Sequence, residues 1–321
     1  MTDSIRSEAT YRSLERLERA AGWHYPSFLW KALPTGIKDA LRELRGRMLT
    51  HHVMRHLSRN KEFEQSPEDV QASASLSIIV PIHDAPEVTK RCLMSLQQYA
   101  PNAEIILVDD ASKLDETKRV LKDFASRNIW TLIHHTEALG HSAACGAGAS
   151  LATRPNLCLL NSDTVVTPWC WRLIIQTFKS DPNIGVAGPS TSAAGNIQAL
   201  PLATSACLYL NDNQICEYAR RLLDQSTDAN VTDLPWISGF ALFIRRGIWE
   251  QLGGFDENLP DYGNDIELCR RVLGIGYRAV WVRNSYIHHF ASASYGKTIG
   301  SNSILARIRI AQDYIHNKYR S

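Results

Sequence analysis

Residues 76–112 read LSIIVPIHDAPEVTKRCLMSLQQYAPNAEIILVDDAS. Two β-branched runs, LSIIVPI and EIILVDD, flank EVTKRCLMSLQQYA, an amphipathic helical segment. The rhythm continues downstream with a helix through LDETKRVLKDFASR, a run IWTLIHH, and then NLCLLNSDTVV, which ends at Val166. Strands alternating with helices imply a parallel sheet covered by helices, because parallel neighbours need right-handed crossover connections. The fold class is therefore α/β.

Outward from this stretch the chain divides in two. Residues 76–321 carry the strand and helix rhythm and end in a helix, whereas residues 1–75 read as a helical extension with a polar exit, NKEFEQSPEDVQASAS. Within the extension, residues 36–60 place Ile37, Leu41, Leu44 and Met48 on one stripe beside Lys38, Arg42, Arg45, Arg47, Arg55 and Arg59. That helix suits packing on its own domain or on a second subunit; it also suits peripheral contact with an anionic membrane surface. At 321 residues, 44% hydrophobic and 21% charged, the chain has material for a full core. A net charge of +2 gives no broad basic face, so no nucleic-acid partner is expected. The seven cysteines are scattered without a C-x-x-C pair, and no signal peptide or membrane-spanning run stands out. These features predict reduced thiols and a cytoplasmic location, peripheral to the inner face of the membrane if residues 36–60 dock there.

Ligands of open α/β sheets collect outside the carboxyl ends of the strands. Three strand ends here carry carboxylates: Asp84, the pair Asp109 and Asp110, and Asp163 in CLLNSDTVV. Converging buried carboxylates are costly unless a cation or a hydroxyl-rich ligand meets them. Asp109 equally suits a helix cap before Asp115. In ALGHSAACGAG, residues 138–148, Gly140, Gly146 and Gly148 allow either close approach to a ligand or tight packing of a helix on the sheet. In GNDIELCRR, Asn264 can cap a helix, Asp265 and Glu267 favour its positive end, and Glu267 can pair with Arg271. A carboxylate so placed at a crevice is also positioned as a general base. His288 and His289 end another β-type run, and adjacent strand residues point to opposite faces.

The motifs SIIVPIHD, EIILVDDAS, LGHSAACGAG, LLNSDTVV, GVAGP, FIRRGIWEQLGGFDE, GNDIELCRR and IHHFASASYG, in this order across residues 76–296, resemble those of inverting family 2 glycosyltransferases of the GT-A fold, of the bacterial surface-polysaccharide type. The resemblance implies a mostly parallel Rossmann-like sheet flanked by helices, with a nucleotide-diphosphate sugar as donor and a glycan, lipid-linked in some relatives, as acceptor. It places Asp110 at the base or ribose, with Pro81, Asp84, Gly140 and Ser162 in the same donor pocket. It makes Asp163 the last residue of a DxD motif and His289 the C-terminal metal ligand, with Asn161 assisting, for Mn²⁺ or Mg²⁺. Asp265 becomes the general base. Trp236 and Gly239 fall where the family lines its sugar and acceptor pocket, although an indole there suits a core position equally well.

Three departures from that pattern stand out. Asn161 occupies the first DxD position, Asn264 replaces the Glu before the base, and Cys145 with Gly146 stand where relatives often carry Asn. Without a Glu at 264, Asp265 loses a negative neighbour that would raise its pKa. Two alternatives share the fold: a non-catalytic nucleotide- or glycan-binding protein, and a sugar nucleotidyltransferase. The latter normally has a Gly-rich basic loop after the first strand, where this chain has PIHDAPEVTK.

Overall fold

The structure is a computed structural model. It describes residues 63–200, 210–224, 229–290 and 301–320, all within the compact unit Val53–Ser321. The helical extension up to residue 62, with the basic helix at 36–60, lies outside the described residues.

The strands are β1 (Leu76–Ile82), β2 (Glu104–Asp109), β3 (Thr131–His134), β4 (Asn156–Leu160), β5 (Thr164–Val166), β6 (Ile184–Ser190), β7 (Val231–Asp233), β8 (Ala241–Arg245) and β9 (Arg278–His289). The helices are α1 (Pro67–Ala72), α2 (Pro86–Tyr99), α3 (Asp115–Asn128), α4 (His141–Ser150), α5 (Cys170–Ser180), α6 (Asp212–Leu223), α7 (Arg246–Leu252), α8 (Asn264–Gly274) and α9 (Ser301–Lys318). The sheet runs β3-β2-β1-β4-β8-β6-β9-β5, with β7 also pairing β9. The pairs β1–β2, β2–β3 and β1–β4 are parallel, as the sequence rhythm predicts. Beyond β4 the sheet becomes mixed: β8 is antiparallel to both β4 and β6. Between β6 and β8 the described residues include α6 and β7, and β8 returns antiparallel to its neighbours, so the strand–helix–strand rhythm of parallel pairs does not extend to it.

Buried apolar side chains from both faces of the sheet make the core, among them Ile79, Val108, Leu159 and Phe243. Helix α4 lies unusually close to the sheet. A Cβ on Gly148 would stand 2.4 Å from Ile79 Cγ2, so this glycine serves helix packing. Gly140, by contrast, caps α4 with φ +92°, a backbone conformation suited to glycine.

Residues 63–75, read in the sequence as the end of a linker, pack on this domain. Phe63 meets Trp169 edge-on, with ring centroids 6.3 Å apart. Gln65 Nε2 donates to the carbonyls of Tyr99 and Pro168, and buried Asp69 pairs with Arg172 at 2.7 Å. The C-terminal α9 is anchored by Lys318, which bridges Asp256 (2.6 Å) and Glu267 (2.7 Å). The described cysteines are all buried free thiols. Among the described residues no helix is long and apolar enough to cross a membrane.

Candidate active site

The carboxyl ends of β1, β2 and β4, the start of α8 and the end of β9 surround a cleft of about 470 Å³. This is the size and placement expected of a ligand crevice in an open α/β sheet. Pro81, Asp110, Asn161, Asp163, Asp265 and His289 all line it, as do Ser162 and Gly239. Residues from six distant segments thus converge on one cleft.

At one end, His289 Nε2 lies 3.1 Å from Asp163 Oδ1. The His289 ring is fixed twice: its Nδ1 is 2.8 Å from the Ala193 carbonyl, and it stacks on Phe240 with centroids 5.3 Å apart. A carbonyl can only accept, so Nδ1 carries a proton and neutral Nε2 presents a lone pair to the carboxylate. Two acceptors face each other at this spot, and only a proton or a cation between them relieves the contact. Burial pulls the His289 pKa down, but the Asp163 charge, its hydrogen bond and the Ala193 carbonyl outweigh that and raise it. His288 faces the opposite side, fully buried with Nδ1 2.9 Å from the Tyr286 hydroxyl.

The donor set fits a divalent cation of the Mn²⁺ or Mg²⁺ kind: one carboxylate oxygen and one imidazole nitrogen, open to the cleft. Among the described residues no group of three or more His, Cys, Asp or Glu side chains gathers to hold a metal. An ion here would complete its shell with water and ligand phosphate oxygens, the usual state of Mg²⁺-type sites.

Toward the other end, Asp265 sits in the first turn of α8. Its Oδ2 accepts the Gly239 N–H at 2.9 Å and its Oδ1 the Ile266 N–H at 2.8 Å. Burial raises the Asp265 pKa above the usual carboxylate range, against those backbone donors. Gly263, with φ +76°, is the N-cap of α8, so Asn264 is the first helical residue and not the cap the sequence suggests. The Glu267–Arg271 pair forms as expected, at 2.6 Å.

Asp110 lines the cleft with both oxygens engaged. It accepts from Leu139 N (2.9 Å) and Gly140 N (2.9 Å), and His135 Nδ1 is 2.8 Å away. It therefore ties the loop before α4 to the end of β2. Asp84 does not line the cleft; its Oδ1 accepts the N–H groups of Lys113 and Leu114 at the entry to α3. Gly140 stands just behind the wall at the cap of α4, and half-buried Trp236 packs behind Gly195. Asp109 receives the Ser112 N–H and lies 3.0 Å from His134, a turn-forming role. His141, Asp261 and the Ala193–Gly195 loop also line the cleft, unmarked in the sequence because they fall in irregular segments or beside more conspicuous glycines.

A sequence model described as glycosyl transferase family 2 matches residues 77–252. The chain belongs to that family. Its fold is that of the GT-A glycosyltransferases. The mannosyltransferase PcManGT of Pyrobaculum calidifontis, solved with GDP-Man and Mn²⁺, superposes with a TM-score of 0.54 at 16% identity, covering 87% of this chain and 79% of that one. The O-antigen biosynthesis protein RfbC of Myxococcus xanthus is 25% identical over 238 residues, 70% of this chain and 18% of that protein. An N-acetylglucosaminyl-diphospho-decaprenol L-rhamnosyltransferase of Mycobacterium tuberculosis is 34% identical over 67 residues, 21% of this chain and 22% of that protein. The family 2 chain spans 18% to 49% of the length of the curated relatives it matches.

Proposed function

We propose that this chain is a metal-dependent inverting glycosyltransferase that moves a sugar from a nucleotide-diphosphate sugar to a hydroxyl of a glycan, in surface polysaccharide synthesis. The observation that carries the reading is the pairing, along one cleft, of the Asp163–His289 contact with the half-buried carboxylate of Asp265. The first offers oxygen and nitrogen ligands for a cation, and the second is a base with a raised pKa. The Mn²⁺ and GDP-Man of the mannosyltransferase structure and the O-antigen role in the name of RfbC support the same reading. The diphospho-decaprenol substrate in the rhamnosyltransferase's name supports a lipid-linked acceptor.

In this scheme Asp163 and His289 hold the cation. When bound, it supplies positive charge against the diphosphate that leaves. Pro81, Asp110 and Ser162 shape the donor end of the cleft, with Gly140 and Asp84 fixing the backbone behind it. Asp265 Oδ takes the proton of the acceptor hydroxyl. The acceptor oxygen bonds to the anomeric carbon from the face opposite the diphosphate, the bond from that carbon to the phosphate oxygen breaks, and the configuration inverts. The Gly239 N–H and the start of α8 hold the carboxylate in place for this. Asp261 and Tyr262 line the same end of the cleft and form the acceptor side.

The test is a panel of UDP-, GDP- and dTDP-sugars incubated with the protein, Mn²⁺ and lipid-linked glycan acceptors, with release of the nucleoside diphosphate as readout. Turnover of one donor, stopped by a chelator and restored by Mn²⁺, is the expected result. Turnover insensitive to chelation would overturn the metal assignment.

A further inference from the structure

His83 lines the cleft beside Asp110 and has no part in the scheme above. The two strand ends are tied by their backbones, since the Asp110 N–H donates to the Ile82 carbonyl at 2.8 Å. The His83 ring closes on the same junction, with Nδ1 2.7 Å from the Asp110 carbonyl oxygen. A carbonyl only accepts, so Nδ1 carries a proton and Nε2 of the neutral ring presents a lone pair. Asp110 is nearly used up as an acceptor. Its Oδ1 takes the Leu139 N–H and the His135 Nδ1–H, and its Oδ2 takes the Gly140 N–H. Each carboxylate oxygen has about two lone-pair sites, which leaves one, on Oδ2. The cleft wall at the ends of β1 and β2 therefore offers two acceptors, His83 Nε2 and Asp110 Oδ2. The order of the sheet says what part of a donor meets them. Its carboxyl ends run from β2 with Asp110 through β1 with His83 to β4, which leads into the Asp163 loop, and the Gly239 N–H that holds Asp265 precedes β8 on the far side. With phosphates at Asp163 and the reacting sugar carbon toward Asp265, the nucleoside must extend the other way. The end of β2 stands two strands from β4, about 10 Å, which is the reach of a ribose with its base rather than of a ribose alone.

We propose that His83 Nε2 and Asp110 Oδ2 form a two-acceptor reader that selects guanine, so that the donor of this chain is a GDP-sugar. The inference rests on the proposed function and narrows its donor class. The Watson–Crick edge of guanine carries two adjacent donors, N1–H and the N2 amine. Uracil and thymine carry one, N3–H, flanked by carbonyl oxygens. A uracil whose N3–H met Asp110 would set O2 or O4 against the His83 lone pair, two acceptors in contact. A site built to accept two hydrogen bonds rejects a ligand that supplies one, because its second polar group is left unpaired. His83 is thus a specificity-determining residue, and His135 holds the carboxylate beside it in place.

The test titrates GDP, UDP, dTDP, inosine diphosphate and 2′-deoxy-GDP calorimetrically into the full-length protein at one saturating Mn²⁺ concentration and pH 8, where an ordinary imidazole is neutral. GDP should bind about tenfold or more tightly than UDP and dTDP, the worth of one hydrogen bond in a desolvated site. Inosine diphosphate keeps N1–H but lacks the N2 amine, and it should also bind about tenfold more weakly than GDP. His83→Phe keeps a ring and removes the acceptor, so the preference for GDP over UDP should shrink to within about threefold. Tighter binding of UDP or dTDP than of GDP overturns the inference and leaves the glycosyltransferase reading standing. An unchanged preference in His83→Phe overturns it too. So does a loss of affinity for 2′-deoxy-GDP without discrimination among the bases, which would mean that the two acceptors read the ribose hydroxyls. Should His83→Phe fail to fold, the wild-type ratio of GDP to inosine diphosphate decides alone, and equal affinities refute the two-acceptor reader. Failure of the wild-type protein to bind any of the nucleotides would overturn the glycosyltransferase reading, and the guanine preference with it.

Discussion

Replacing Asp265 by Asn removes the proposed base while keeping its shape. The carboxylate accepts the Gly239 and Ile266 N–H groups, and an amide retains one of these through Oδ1. A positioned general base is worth about 10²–10⁴ in rate, or about 2.7–5.4 kcal/mol of activation free energy. Asp265→Asn should therefore lower kcat by that factor while leaving the affinity for the nucleotide diphosphate within about threefold, because the proposed function puts the donor phosphates at Asp163. The assay is release of nucleoside diphosphate from the active donor in the presence of acceptor, from pH 4 to pH 9. The wild-type base must be ionised to act, and burial raises its pKa. Activity should fall as pH drops through a value above the ordinary ~3.9 of an aspartate, and the residual activity of the variant should lack that limb. Stability moves in the opposite sense. A carboxyl whose pKa is raised by folding favours the native state most at low pH and loses that contribution as pH rises through the raised value. The melting temperature of Asp265→Asn, relative to wild type, should therefore improve with rising pH across that window. Turnover within threefold of wild type, or an unchanged acid limb in the variant, would refute the assignment.

Three further outcomes follow from the geometry. Gly148→Ala forces a methyl to within 2.4 Å of Ile79 Cγ2, and overpacking of about 1–3 kcal/mol should exceed the helix-propensity gain of about 1 kcal/mol, lowering the melting temperature; an unchanged or raised value would contradict the close approach of α4. Lys318→Met removes the ammonium bridging Asp256 and Glu267, and since Arg271 and Tyr319 still serve Glu267 the loss should be about 1–2 kcal/mol by urea denaturation at pH 7. Burial opposes the ionised form of Glu267, but Arg271, Lys318 and Tyr319 hold its pKa below the usual range, so the stability this cluster supplies should vanish as pH falls through that lowered value; a pH-independent difference between wild type and variant would argue against it. Asp110→Ala strands the Leu139 and Gly140 N–H groups, so the loop ahead of His141 should loosen and nucleotide affinity fall by about tenfold or more in calorimetric titration, whereas wild-type affinity would exclude Asp110 from shaping the donor end.

Much of this architecture is legible in the sequence because periodicity and order carry it. The β1-to-β4 half follows from strand and helix alternation, and Asp110, Asp163, Asp265 and His289 all arrive in one cleft because each lies at the end of a strand or the start of a helix. The mixed half of the sheet was not legible, since direction there is decided by where the long segment after β6 returns and not by any local pattern. Asp84 shows a different limit. A carboxylate at a strand end looks the same in sequence whether it faces a ligand or caps a helix entry, and in this chain Lys113 and Leu114 claim it. His141 is not marked by the sequence, because its side-chain partner Asn264 lies 123 residues away and no spacing rule joins them. The role of Gly148 likewise needed the distance to Ile79 to separate packing from ligand approach.

The most direct test of the central claim is calorimetric titration of UDP, GDP and dTDP into the wild-type protein and into Asp163→Ala, each with and without Mn²⁺. One nucleotide diphosphate should bind the wild-type protein only when Mn²⁺ is present, and Asp163→Ala should lose this binding. Equal binding by wild type and Asp163→Ala, independent of Mn²⁺, would contradict it, as would the absence of binding by all three nucleotides.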